Sequence, residues 1–193
     1  MALPERLRPT TRPLSDPAQV LTGPNWRITI LTERLLRLEW SDDGVFEDRP
    51  TQVVWNRDFD PVPHDLVRHG EELQLSTRAL KLFFDGQRFS SGGLAVTQPD
   101  AAGWHTAWRY GMTDRVQDRE PGWHVGNLGG TARTLDEADG GVPLEPGVVS
   151  ALGWATLDDS GSLALDEDGW PTARHGDVDL YLFVHGHDAP AAL

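Results

Sequence analysis

Carboxylates crowd one glycine-flanked stretch of this 193-residue chain, Asp136-Glu137-Ala138-Asp139-Gly140, with Arg133 before it and Glu145 after it. Two carboxyl groups facing each other across roughly 5–10 Å, one with its pKa raised by burial, act as general acid and base on a glycosidic bond. Adjacent carboxylates on a glycine-rich turn more commonly bond their own backbone and stay in water. A ligand-contacting role, its oxygens accepting hydrogen bonds from hydroxyls, is therefore favoured over catalysis for this stretch.

Three other constellations bear on chemistry. His185-Gly186-His187-Asp188 follows a strand-like run, where positions i and i+2 share a face and can present two imidazoles to one metal. No third ligand is identifiable beside them, and the polar rim of a strand end is the better reading. Asp166-Glu167-Asp168-Gly169 resembles the opening of a calcium loop but has Pro171 where the loop needs Gly and Asp177 where it needs Glu, so a plain turn is expected. Eight tryptophans, Trp26, Trp40, Trp55, Trp104, Trp108, Trp123, Trp154 and Trp170, supply flat faces of the kind that stack on sugar rings. Trp26 and Trp40 alternate into an apolar face and are assigned to the core, whereas Trp104, Trp108 and Trp123 lie in a loop-rich stretch and are assigned to the surface. No phosphate-binding glycine loop, zinc-protease helix or nucleophile elbow is present. The absence of cysteine removes disulfides, thiolate metal sites and a cysteine nucleophile. No cofactor and no metal is implied.

The elements that must hold these residues are strands. Trp26, Ile28 and Ile30 alternate with Arg27 and Thr29, and Leu36, Leu38 and Trp40 alternate with Arg37 and Glu39, which predicts a hairpin with one apolar face. Gln52 to Trp55, Leu66 to His69, Leu73 to Thr77, Leu80 to Phe84, Leu94 to Val96, Trp154 to Leu157, Ser162 to Leu165 and Val178 to Val184 follow as further strand candidates. Asp85-Gly86 is the strongest turn signal. From about Pro99 to Gly147 glycine and proline accumulate and long loops are expected, with a short helical candidate at Arg133 to Ala138. No βαβ rhythm occurs, and the fold class is all-β, an antiparallel β-sandwich with long loops. Residues 1–25 read as an extended proline-rich arm and 26–193 as the sandwich domain.

Charge narrows the partners. Seventeen Lys+Arg against 30 Asp+Glu leave −13, a surface that repels phosphate backbones and anionic lipid, so neither nucleic acid nor membrane is expected as a partner. No apolar run approaches the ~20 residues that span a bilayer, and the N-terminus has no apolar core of a signal peptide, which predicts a cytoplasmic location.

Several ordered blocks resemble the N-terminal region of the glycoside hydrolase family 31 enzymes, the α-glucosidases, α-xylosidases and relatives. They are Leu31 to Ser41, Gly44 to Pro50, Asn127 to Asp136, Pro143 to Ser150, Gly153-Trp154, Leu157 to Ser160, Leu180 to Phe183 and Gly186 to Asp188, spanning roughly Trp26 to Asp188. The resemblance implies a galactose-mutarotase-like β-sandwich that precedes a (β/α)₈ barrel bearing the catalytic aspartates. Nothing in this chain resembles the barrel's nucleophile segment, so no catalytic residue carries over and the isolated chain is expected not to be an enzyme. The family's sandwich sends a loop toward the barrel mouth. By resemblance that loop lies between Leu135 and Pro143, with Asp136 and Asp139 contacting an α-glucoside or α-xyloside and Arg133 positioning them. The implied partners are the catalytic barrel and, through it, carbohydrate. An uncovered barrel-facing apolar surface and self-association through it are further expectations. Two alternatives stand beside this reading: a carbohydrate-binding module using Trp104, Trp108 or Trp123, and a mutarotase-like epimerase in which His64, His69, His105 and His124 converge on a carboxylate.

Overall fold

The computed structural model describes residues 4–99, 105–113, 147–186 and 188–192. Twelve strands occur among them. The first three are β1 (Val20–Thr22), β2 (Trp26–Thr32) and β3 (Leu35–Trp40). A meander follows through β4 (Asp65–His69), β5 (Glu72–Ser76), β6 (Lys81–Phe84), β7 (Leu94–Pro99) and β8 (His105–Arg109). The chain closes with β9 (Trp154–Asp158), the short pair β10 (Ala164–Leu165) and β11 (Pro171–Thr172), and β12 (Val178–Val184).

These strands form two five-stranded antiparallel sheets, ordered β1-β2-β3-β12-β9 and β4-β5-β6-β7-β8, with β10-β11 as a separate ribbon. The period of two fixes which residues meet between the sheets. Ile28, Ile30, Leu36, Leu38 and Leu182 point inward from the first sheet and are almost fully buried. Leu73, Leu75, Leu82, Phe84 and Val96 point inward from the second. Each such side chain contributes about 1.5–3 kcal/mol by leaving water. The fold is the all-β sandwich that the alternation predicts.

Aromatic rings close one region of this core. Trp26 meets Phe84 edge-on at 5.2 Å, Phe84 meets Phe89 at 5.4 Å, and Phe89 meets Trp40 at 5.7 Å. Phe89 belongs to the β6–β7 connection, so these T-shaped contacts tie a loop to both sheets.

Three sequence expectations change. Trp108, assigned above to a surface role, is 1% exposed and part of the core. It sits in β8 directly opposite Val96, and paired residues share a face. Gln52 to Trp55 form a turn and not a strand, because the Thr51 hydroxyl accepts the Val54 N–H at 2.9 Å while the Thr51 N–H donates to the Val54 carbonyl at 3.0 Å. Within the stretch read as an arm, Val20–Thr22 pair with Arg27–Thr29 as the edge strand β1. The helical candidate at Arg133 to Ala138 lies outside the described residues.

Candidate functional site

The side chains that β2, β3, β12 and β9 turn away from the core make an unusually charged face among the described residues. Because β12 runs antiparallel to β3 with Asp179 opposite Glu39, Tyr181 opposite Arg37 and Phe183 opposite Leu35, this outer face grades from charged to apolar along the strands. Arg27 lies opposite Glu39 on the charged end, and Leu157 lies opposite Tyr181 toward the apolar end.

Such a face would ordinarily meet water. Here the 42–62 and 159–177 connections cover it, and Arg37, Glu39 and Asp179 are 3%, 2% and 0% exposed. Arg37 grips Asp179 through Nε at 2.8 Å and Nη2 at 2.6 Å, and reaches Glu39 at 3.0 Å. Arg27 holds Glu39 through Nε at 2.6 Å and Nη2 at 2.8 Å. From the covering loops, Arg174 donates to Asp179 at 2.7 Å and to the Asp159 carbonyl. Glu47 accepts from the Arg49 side chain at 2.8 and 2.7 Å and from the His175 N–H at 2.9 Å. Arg27 also donates Nη1 to Asp48 at 2.6 Å, so the four guanidinium groups of Arg27, Arg37, Arg49 and Arg174 meet four carboxylates, Glu39, Glu47, Asp48 and Asp179. The bidentate forks satisfy most of its donors and acceptors.

The protonation equilibria follow from burial and partners. Burial works to raise the Asp179 carboxyl, but the Arg37 fork and Arg174 outweigh it and hold the group below the usual carboxylate range. Burial pushes Glu39 up despite its two arginines. It likewise pushes Asp159 up, a shift reinforced by the Asp179 charge and opposed by the Thr51 hydroxyl at 2.8 Å. Glu47 is buried too, yet the Arg49 fork and two backbone N–H donors bring it down to about 2. Tyr181 is pushed up to about 12, chiefly by burial.

Tyr181 divides the face. Its hydroxyl accepts from Arg57 Nε at 2.6 Å. Arg57, 1% exposed, also donates to the carbonyls of Arg49 and Pro13, which pins residues 12–15 across the covering loop. Beyond Tyr181 the layer opens into a cleft of about 310 Å³ walled mainly by Leu31, Leu35, Val54, Phe59, Leu157 and Phe183, with Arg34, Asn56 and His185 among its polar lining.

The residues singled out from sequence fare differently. Arg133, Asp136 and Asp139, with Trp104 and Trp123, lie outside the described residues. His185 is 2% exposed, and its Nε2 accepts the Ser150 N–H at 3.2 Å while Nδ1 lies 2.9 Å from the Gly186 carbonyl. Both nitrogens serve the backbone, which leaves this imidazole as a strap between the 147–153 turn and the end of β12. His187 lies outside the described residues. Asp166 Oδ1 accepts from the N–H groups of Asp168 and Trp170, the geometry of a tight turn. Among the described residues no three His, Cys, Asp or Glu side chains gather as a metal site. His64 Nδ1 lies 3.0 Å from the Val62 carbonyl, and His69 sits on β4, the edge of the other sheet. The His105 side chain and His124 are outside the described residues.

Sequence reasoning missed the ion-paired layer. Its signal was present as charges of opposite sign at alternate strand positions, Arg37 and Glu39 on β3 and Asp179 on β12. That pattern is also what a solvated strand face looks like, and only the covering loops distinguish the two.

No protein-family model matches the chain, and no curated protein matches it. Among the described residues no helix is long and apolar enough to cross a membrane.

Proposed function

We propose that this chain is a non-catalytic N-terminal β-sandwich of an α-glycosidase, which packs on a (β/α)₈ catalytic barrel and lends a loop to its carbohydrate site. One observation carries the reading. Blocks of the family resemblance that are far apart in sequence lie together in space: Leu31 to Ser41 contains β3, Leu180 to Phe183 lies in β12, and Trp154 and Leu157 lie in β9, three neighbours in one sheet. Gly44 to Pro50 supplies Glu47 and Arg49 to the layer over that same sheet. The described ones among these segments thus share one sheet and the layer over it, while Asn127 to Asp136 and residues 143–146 lie outside the described residues.

The chemistry of the face agrees with a supporting role. Glu39, Glu47 and Asp179 are engaged by arginines and sheltered from solvent, so they are poorly placed to exchange protons with a substrate. Asp136 and Asp139, with Arg133 positioning them, remain the proposed sugar contacts. The binding-module alternative loses one of its three tryptophans, because Trp108 is in the core.

Incubating the purified chain with aryl α-glucosides and α-xylosides tests the proposal. No turnover is expected, and no calorimetric binding of maltose by the isolated chain. Turnover that persists through purification and disappears on substitution of a residue in this chain would replace the proposal with an enzyme. Saturable maltose binding abolished by Asp136→Asn and Asp139→Asn would make the sandwich a sugar-binding module in its own right.

A further inference from the structure

The cleft beyond Tyr181 has a composition that suits a ligand other than sugar. A sugar ring carries a hydroxyl on nearly every carbon, and burying those against Leu35, Phe59, Leu157 and Phe183 would strip their hydration without replacing it. A volume of about 310 Å³ sits at the lower limit of small-molecule sites, which typically run from ~300 Å³ and combine apolar walls with a few placed polar groups.

Arg34 is the cation in this lining, and its bonding differs from that of the arginines next door. Arg27, Arg37, Arg49 and Arg174 each bond a carboxylate at 2.6–2.7 Å. Arg34 instead donates Nη1 to the His185 carbonyl at 3.2 Å, and its Nη2 approaches Asp188, an exposed carboxylate, only to 3.9 Å. Its side chain is 29% exposed, so the guanidinium is held at the cleft with donors that can still turn to an incoming anion. The His185 ring is already engaged by the backbone, Nε2 accepting the Ser150 N–H at 3.2 Å and Nδ1 lying 2.9 Å from the Gly186 carbonyl.

We infer that this cleft binds a small amphiphilic monocarboxylate, an aryl or branched-alkyl acid whose apolar body lies against Leu35, Phe59, Leu157 and Phe183 and whose carboxylate pairs with Arg34. The site lies on the outer face of the first sheet and is independent of the carbohydrate reading, which it neither needs nor excludes.

The probes are 3-phenylpropionate, 3-phenylpropanamide as its neutral counterpart, and maltose, titrated into the full chain and followed by backbone-amide NMR. Saturable shifts at Leu31, Leu35, Leu157 and Phe183 are expected with the acid, at a Kd below about 1 mM. The amide should bind about tenfold more weakly, as should the acid to Arg34→Gln, because each loses a charge-assisted bidentate pair. Arg34→Gln leaves the turn intact, since Thr32 Oγ1 accepts the Arg34 backbone N–H. A second variant, Leu157→Trp on the edge strand β9, should fill the cleft and abolish binding while the chain stays folded. Equal affinity for acid and amide would overturn the assignment of Arg34, and the absence of saturable shifts, or shifts confined to residues outside the cleft, would overturn the site itself. Maltose moving the same resonances would overturn the ligand class.

Discussion

Removing the Arg37 guanidinium leaves Asp179 with Arg174 alone inside a layer that water does not reach, and breaking a buried pair from one side commonly costs about 3–5 kcal/mol. Arg37→Met is therefore expected to lower the unfolding free energy from urea titration by that much, whereas Arg37→Met with Asp179→Leu should lose clearly less, because the Asp179 carboxylate is no longer buried short of a partner and Arg174, which loses that carboxylate, keeps its bond to the Asp159 carbonyl. Equal losses in the two variants would mean that packing of the side chains, not charge pairing, holds the layer. The same residues give the acid limb its sign. Glu47 is brought down to about 2 in the folded chain, so the stability it contributes is present above its ordinary range near 4.5 and is lost as pH falls toward 2. Asp159 runs the other way: its pKa is raised, so its favourable contribution exists below the ordinary aspartate range and is lost as pH climbs through the folded value. Urea midpoints between pH 3 and pH 7 should accordingly fall less steeply toward acid for Glu47→Gln than for the parent chain. Asp159→Asn should be better tolerated at pH 7 than at pH 4, and the opposite order would place Asp159 as an ionised partner of Arg174.

At the scale of elements, the β4–β5 and β6–β7 connections offer a controlled comparison. Gly70 (φ 62°) and Gly86 (φ 78°) both occupy the left-handed region, where a side chain costs about 1–2 kcal/mol. A methyl at Gly70 would meet open space, but one at Gly86 would lie 2.6 Å from the Glu71 carbonyl oxygen, a backbone atom that cannot swing aside. Gly86→Ala should thus cost more than Gly70→Ala in thermal unfolding, and equal costs would show that the two turns are free to move apart. The Asp85-Gly86 turn was legible in the sequence because its chemistry is local, and so was β12, whose VDLYLFV run needs no partner to be recognised as a strand. The Gln52 to Trp55 turn was not, since Val53, Val54 and Trp55 carry strong strand propensity and it is the hydroxyl and N–H of Thr51 that divert the backbone. Trp108 was misplaced for a related reason: its surroundings read as loop, and its burial is set by pairing with Val96 across β7 and β8. The candidate site was harder still, because burial of Arg37, Glu39 and Asp179 depends on connections that fold back from residues 42–62 and 159–177. The cleft depends on the same long-range return, which brings Phe59 beside Leu157 and Phe183.

The whole molecule is organised around a late strand. β12 lies between β3 and β9, so the first sheet is continuous only after residues 178–184 have inserted next to residues 35–40. Three terms depend on that insertion together: the backbone ladders on both sides of β12, the burial of Leu182 and Val184 in the core, and the neutralisation of Arg37 by Asp179 across 142 positions of chain. Without β12, Arg37 and Glu39 would face each other and the covering loops with one cation uncompensated, and Leu36 and Leu38 would border a missing neighbour. A chain ending at residue 177 is therefore expected to show no cooperative urea or thermal transition, while removal of residues 1–7 should cost much less, because none of Glu5–Leu7 is buried and the segment is anchored further along, at Arg8, Arg12, Pro13 and Ser15. Supplying residues 175–193 as a separate peptide should restore part of the transition in the truncated chain, in proportion to peptide concentration. Pairings this distant must close large loops before they contribute, which places refolding in the millisecond-to-second range typical of sandwiches. A truncated chain that unfolds cooperatively with unchanged midpoint would mean that the meander β4–β8 carries the stability alone and that the ion-paired layer forms as an accessory to it.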